Sequence, residues 1–407
     1  MNTVDRTGAT RSVAMGYLRA FVTLLVIAHH AVLAYHPYAP PPVHDPEAWA
    51  QKAWGAFPVV DAAKWSGVEL FVGYNDTFFM SLMFFVSGLF VWSSLRRKGA
   101  ASFVRARARR LGVPFALSAL VLAPLAYYPA FLQVGDGGSF AHAWWSLSSW
   151  PAGPAWFLWV LLGFDLVAAV LTRVAPAWGD ALGRAAAKVQ RPAAFFGAMI
   201  AVGTVAYLPL ASVVDPLAWG SFGPFFVQTS RVLHYAAWFF AGAGVGAFGV
   251  DRGLLEPGGR LARRWGRWIG LSLAAYAVEM VLVVLIFSAI GKGQAPSKVL
   301  LTTANVGFVV TCAASCMAFL AIFVRFAKPS RAWDSLSANA YGMYVVHYAI
   351  VSWLQYAMLG AHTSGVMKGI VVATAATFLS WAATSVARRT LRFVPWSPAM
   401  RSAASPS

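Results

Sequence analysis

Arg19 and His30 stand with ten residues between them in the first apolar run of the chain. Eleven helical steps return to within about 20° of the starting face and climb about 16 Å. A guanidinium near one membrane edge and an imidazole near mid-membrane therefore share one stripe. Imidazole exchanges its proton near neutral pH and suits the general base for an attacking hydroxyl. A guanidinium can orient an anionic donor or stabilise developing negative charge. Spacing alone also allows Arg19 to be an anchor snorkelling to the interface, and His30 to be a satisfied core histidine. His29 points about 100° away from that stripe and is the weaker candidate.

The second cluster is cationic. Seven positive charges fall within Arg96–Arg110, ending Arg105-Ala106-Arg107-Ala108-Arg109-Arg110 just before Leu111-Gly112-Val113-Pro114. Such a surface suits phosphates, although positive membrane-flanking loops are expected on topological grounds too. Arg107 and Arg110, three apart, would share a helical face and could clamp one pyrophosphate. Asp165, Glu279 and His347 are further ionisable residues within apolar runs. Each should face protein rather than lipid, in structural pairing or in a proton relay. No group of metal ligands is evident. Cys312 and Cys316, four apart, read as small packing residues rather than as a disulfide or metal pair. Gly244, Gly246 and Gly249 spell GxGxxG, but no strand precedes them, so close helix packing is the reading.

The elements that must position these groups are membrane helices. The chain has 407 residues, 59% hydrophobic and only 11% charged, far below the charged fraction of a soluble domain. Its net charge of +18 does not indicate nucleic acid, because the basic residues sit in short clusters between apolar runs. Runs long enough to span a bilayer are expected at Gly16–Tyr35, Asp76–Leu95, Leu111–Phe131, Pro154–Arg173, Ala193–Val213, Ser230–Phe248, Trp268–Ile290, Leu300–Val324, Ser337–Met358 and Gly365–Ala387. The fold class is thus all-α, a bundle of about ten spans. With the amino terminus in the cytoplasm, 26 of 32 Lys and Arg fall inside, which places both termini there. The first run carries no small-x-small cleavage site and is a retained helix. Residues 1–15 read as an N-terminal segment, 16–389 as one membrane domain, and 390–407 as a tail. The longest outer loop, His36 to Asn75, contains Trp49, Trp54 and Trp65 and the acids Asp45, Glu47, Asp61 and Glu69. Its aromatics are interface anchors or a platform for a sugar.

Taken in order, these pieces resemble the acyltransferase-3 family of membrane O-acyltransferases. They are Leu18-Arg19 with His30, Phe84-Phe85-Val86-Ser87-Gly88, Arg107-x-x-Arg110 with Gly112-Val113-Pro114, Trp156-Phe157-Leu158, and Tyr341-Gly342-Met343-Tyr344-Val345-Val346-His347. The similarity runs from about Tyr17 to Leu391, and is greatest to the stand-alone type that includes periplasmic-glucan succinyltransferase. It implies a protein of the bacterial inner membrane that takes acyl-CoA from the cytoplasm. Acetyl, succinyl or a related group would pass to the hydroxyl of an extracytoplasmic glycan or glycolipid. By that carry-over Arg19 and His30 are catalytic, and Arg107 and Arg110 bind the CoA phosphates. Ser87, Trp156, Tyr341, Tyr344 and His347 are further candidates. Some relatives have His before the Trp of the fourth-helix motif, where this chain has Ala155. Two other classes remain: a proton-coupled transporter or lipid-linked sugar flippase using Asp165, Glu279 and His347, and a structural membrane subunit. The first usually shows an inverted repeat, which is not evident here.

Overall fold

A bilayer offers backbone N–H and C=O groups no partner but each other, so apolar runs of this length fold as helices. In a computed structural model, described over residues 3–42, 57–135 and 138–393, they do so. The long helices are α1 (Thr3–Leu33), α2 (Val68–Gly88), α3 (Ala100–Val134), α4 (Trp156–Val174), α5 (Trp178–Lys188), α6 (Pro192–Val213), α7 (Val232–Phe248), α8 (Trp265–Gly291), α9 (Lys298–Phe326), α10 (Arg331–Ala357) and α11 (Gly365–Phe393). Among the described residues, eight helical segments are long and apolar enough to cross a membrane. A ninth exists if α7 and the following Gly253–Arg263, bent by 85°, count as one. The expected span Ser337–Met358 lies, but for Met358, within α10, whose 27 residues would reach about 40 Å. It is too polar to count by composition because Asn339, His347, Ser352 and Gln355 are buried on it, turned toward protein.

Hydropathy located the spans but not the helix ends. α2 starts at Val68 rather than near Asp76. Asn75 is buried and Asp76 is paired with Arg231 at 2.8 Å, so polar side chains interrupt the apolar run without interrupting the helix. The basic stretch before Leu111 is not a loop. A helix at Val91–Lys98 is followed by Gly99 at φ 72°, and α3 begins at Ala100. Ala and Arg are good helix formers, so charge marks the membrane edge there and not the end of the helix. Within α3, Ala108–Gly112 and Ser118–Leu122 are π-helical. An antiparallel hairpin, β1 (Trp219–Phe222) and β2 (Phe225–Gln228), is a small departure from the all-α expectation. Asp45, Glu47, Trp49, Lys52 and Trp54 of the outer loop, and residues 394–407 of the tail, lie outside the described residues.

The centre of the bundle is α2 against α7, and glycines set their separation. A Cβ on Gly242 would lie 2.1 Å from the Phe85 carbonyl oxygen. One on Gly246 would lie 1.9 Å from that of Leu89, and one on Gly88 would lie 2.0 Å from that of Phe239. The Phe-Phe-Val-Ser-Gly motif thus supplies one half of a backbone-to-backbone contact. The glycine run of α7 supplies the other, which is helix packing and not nucleotide binding. Around this core, α8 turns Val278, Val281, Val284, Leu285 and Phe287 outward, the surface that lipid covers.

α1 packs against α2, α9, α10 and α11. Past its end, the chain from residue 57 returns as a strap. Asp61 N–H donates to Ala34 O at 2.9 Å, and Trp65 N–H to Tyr35 O at 2.8 Å. Gln133 of α3 bonds both the N–H and the C=O of Val60. Lys368 of α11 meets Asp61 at 2.7 Å, both side chains 3% exposed. Trp65 packs on the α1–α10–α11 core.

Candidate active site

α1 and α10 run parallel and in register. Tyr17 OH donates to Asp334 at 2.6 Å near the basic part of each helix, and His30, near the far end of α1, meets His347 in the middle of α10; each interval is 13 residues. His30 lies in the last turn of α1, closer to the helix end than the mid-membrane depth expected of it. Its Nδ1 lies 2.8 Å from Val26 O, and His347 Nε2 lies 3.4 Å from that same Nδ1. The rings are 5.2 Å apart between centroids. His347 is fully buried, with Nδ1 2.7 Å from Tyr344 O. Tyr348 meets His30 edge-on at 5.2 Å, and Gln355 Nε2 donates to the His30 carbonyl at 2.8 Å. Tyr348 and Gln355 were not among the residues singled out in the sequence.

The motif on α10 is one stripe of attachments. Tyr341 OH donates to Arg110 O of α3, Tyr344 OH donates to Pro154 O just before α4, and His347 reaches α1. Spacing of three to four residues keeps all three on one face. The Arg110 guanidinium also lies 5.8 Å from the centre of the Tyr341 ring. Ring and carbonyl together bind α3 to the helix that carries His347.

Arg107 and Arg110 do not act as the symmetric pair their spacing suggested. The π-helical turn from Ala108 widens the helix between them. Arg107 turns to α4, with Nε 3.2 Å from Asp165 Oδ2 and its guanidinium 5.1 Å from the Phe103 ring. The Asp165 carboxylate is 1% exposed and makes no aligned hydrogen bond, so this contact is ionic. Arg110 is exposed and lies near enough to Arg19 to repel it. Among the described residues, neither Arg19 nor Arg110 has a carboxylate partner. Arg110 does attract the Asp165 carboxylate, so Arg19, Arg107, Arg110 and Asp165 form one cluster with an excess of positive charge.

The remaining candidates scatter. His29 is buried against Phe79, ring centroids 5.3 Å apart, with Nδ1 unpartnered. Trp156 belongs to an aromatic cluster with Phe84, Trp219 and Tyr235. Ser87 is half-buried beside the packing glycine Gly88. Glu279 belongs to a separate polar cluster with Thr311 and Arg231. In that cluster Arg231 pairs with Asp76, and His234 Nε2 lies 3.4 Å from Cys312. Cys312 and Cys316 are free and buried, as packing residues would be. His234 carried no sequence signal beyond its residue type.

Across Tyr348 from His30 lies a narrow cleft of about 10 Å³, room for about one water, between the second π-helical turn of α3, the start of α4, and α10. Tyr344 and Tyr348 line it, as does Ser118, whose buried hydroxyl has no partner. Ala155, the residue before Trp156, also lines it. The histidine pair, the cationic cluster and the narrow cleft are gathered by α1, α3, α10 and the start of α4. A family model described as an acyltransferase domain matches residues 13–385, nearly the whole chain. No curated protein and no solved structure matches it. The chain belongs to the acyltransferase-3 family and is a multi-pass membrane O-acyltransferase.

Proposed function

We propose that the protein sits in the bacterial inner membrane with both termini in the cytoplasm. There it carries an acyl group from acyl-CoA to a hydroxyl of an extracytoplasmic glycan or glycolipid. The observation that carries this reading is the placing of His30. Its Nδ1 is held by the Val26 carbonyl, so in the neutral ring Nδ1 bears the proton and Nε2 keeps a lone pair. That atom can take the proton of an acceptor hydroxyl as its oxygen attacks the thioester carbonyl. The tetrahedral oxyanion then collapses, the C–S bond breaks, and the CoA thiolate recovers the proton from His30. An ester and free CoA are the products.

Charge supports the division of labour. Arg19 and Arg110 lie toward the basic ends of α1 and α3, where cations outnumber the one nearby carboxylate, Asp165, and a CoA phosphate finds net positive charge. His30 lies about 16 Å further along α1, at the end from which an outer hydroxyl arrives. The acyl thioester must bridge that interval, a distance suited to the extended pantetheine arm of CoA. The family resemblance fits modification of a periplasmic glucan with acetyl or succinyl groups.

The test is mass spectrometry of envelope glycans from cells with the gene, without it, and with His30→Ala. Ester mass increments should vanish in the last two while membrane abundance of the variant stays normal. Esters persisting with His30→Ala would remove His30 from the chemistry.

A further inference from the structure

His347 bears on His30 in a way that neither the family match nor the residue spacing assigns. Both rings place Nδ1 on a main-chain carbonyl of their own helix, Val26 O at 2.8 Å and Tyr344 O at 2.7 Å. Carbonyl oxygens only accept, so each neutral ring carries its proton on Nδ1 and a lone pair on Nε2. The Nε2 lone pair of His347 then points at His30 Nδ1, 3.4 Å away. A single N–H of His30 is shared between two acceptors, one from its own helix and one from α10.

We propose that His347 is a positioning residue that fixes the tautomer of His30 and supports its charge during transfer; this rests on the reading of His30 as the base. In the opposite tautomer the His30 Nδ1 lone pair would face the Val26 oxygen and the His347 lone pair together. His347 could relieve that only by moving its own proton and abandoning the Tyr344 carbonyl. When His30 takes a proton at Nε2, Nδ1–H becomes a charged donor and both bonds strengthen. In hydrolytic triads a carboxylate performs this service. Here the partner is a neutral imidazole, which spares the membrane a buried anion. His347 is held for the task by its full burial, by the bond to Tyr344, and by Tyr344's own attachment to Pro154.

The test uses the full-length protein in lipid nanodiscs, labelled with ¹⁵N-histidine. It compares wild type with His347→Gln, whose amide oxygen can accept from Nδ1–H, and with His347→Leu, which cannot. Signals of His30, one of eight histidines, are assigned by their loss in His30→Ala. Wild type and His347→Gln should show a protonated Nδ1 and an unprotonated Nε2 at His30. His347→Leu should show a mixture of tautomers, and its rate of ester addition to envelope glycans should fall about 10- to 100-fold at unchanged abundance. His347→Gln should recover most of that rate. A wild-type His30 carrying its proton on Nε2 would overturn the proposal, as would a leucine variant matching the glutamine variant in both tautomer and rate. Ester transfer surviving in His30→Ala would instead remove the base reading on which the proposal stands, a separate outcome.

Discussion

Replacing Arg107 with glutamine removes the cation 3.2 Å from the Asp165 carboxylate, a group only 1% exposed. At an effective dielectric of about 20, opposite charges at that distance attract by about 5 kcal/mol. Removing one partner of a buried pair commonly costs about 3–5 kcal/mol, an upper figure here because Arg110 remains to attract Asp165. The single variant should therefore melt several degrees below wild type in detergent and accumulate poorly in membranes. Adding Asp165→Asn removes the stranded charge, and the double variant should regain most of the lost stability. Thermal unfolding followed by tryptophan fluorescence measures this. The double variant also separates two roles for Arg107. If the guanidinium contacts a CoA phosphate as well as Asp165, stability returns but the concentration of acyl-CoA needed for turnover stays raised. An Arg107→Gln protein melting with the wild type would refute the reasoning, because a carboxylate so enclosed cannot lose its cation without cost.

Three further outcomes are expected. Gly246→Ala should prise α2 from α7, since its Cβ would sit 1.9 Å from the Leu89 carbonyl oxygen; overpacking of this kind costs about 1–3 kcal/mol or more, read as lost folded protein in size-exclusion chromatography. Lys368→Met should cost about 3–5 kcal/mol by stranding Asp61, and Lys368→Met with Asp61→Asn should recover much of it in the same melting assay. Cys312→Ser should leave ester transfer to glycans intact, because the thiol lies in the separate polar cluster with His234.

Much of the bundle was legible in the sequence because lipid imposes simple rules. Apolar length gave most spans, and Gly244 and Gly246 read correctly as packing, whereas Gly249 ends α7 at φ 129°. The stripe joining Arg19 to His30 followed from helical geometry. What escaped was whatever depended on a second helix. Nothing local to Tyr341, Tyr344 and His347 says that each attaches to a different neighbour, and nothing local to His30 names His347 as its partner. Arg107 and Arg110 looked like a clamp because three-residue spacing assumes α-helical turns, whereas α3 widens at Ala108 and sends Arg107 to Asp165. Helix ends were misplaced where charge and helix propensity disagree, as at Ala100, and where buried polar groups interrupt hydropathy, as at Asn75. α10 shows the same effect over a whole helix: polar because it is interior, it looks least like a span and carries much of the site.

The clasp between Asp61 and Lys368 has a consequence for biogenesis. Its partners are 307 residues apart, and α1, synthesised first, rests on α10 and α11, synthesised last. During translation the first helix must wait in the bilayer, His30 without its neighbour and the strap unlatched, until the final two hairpin arms arrive. Maturation is therefore a late event in which insertion of α11 closes the ring of contacts around α1. A nascent chain arrested before Lys368 would lack the cation that meets the buried Asp61 carboxylate.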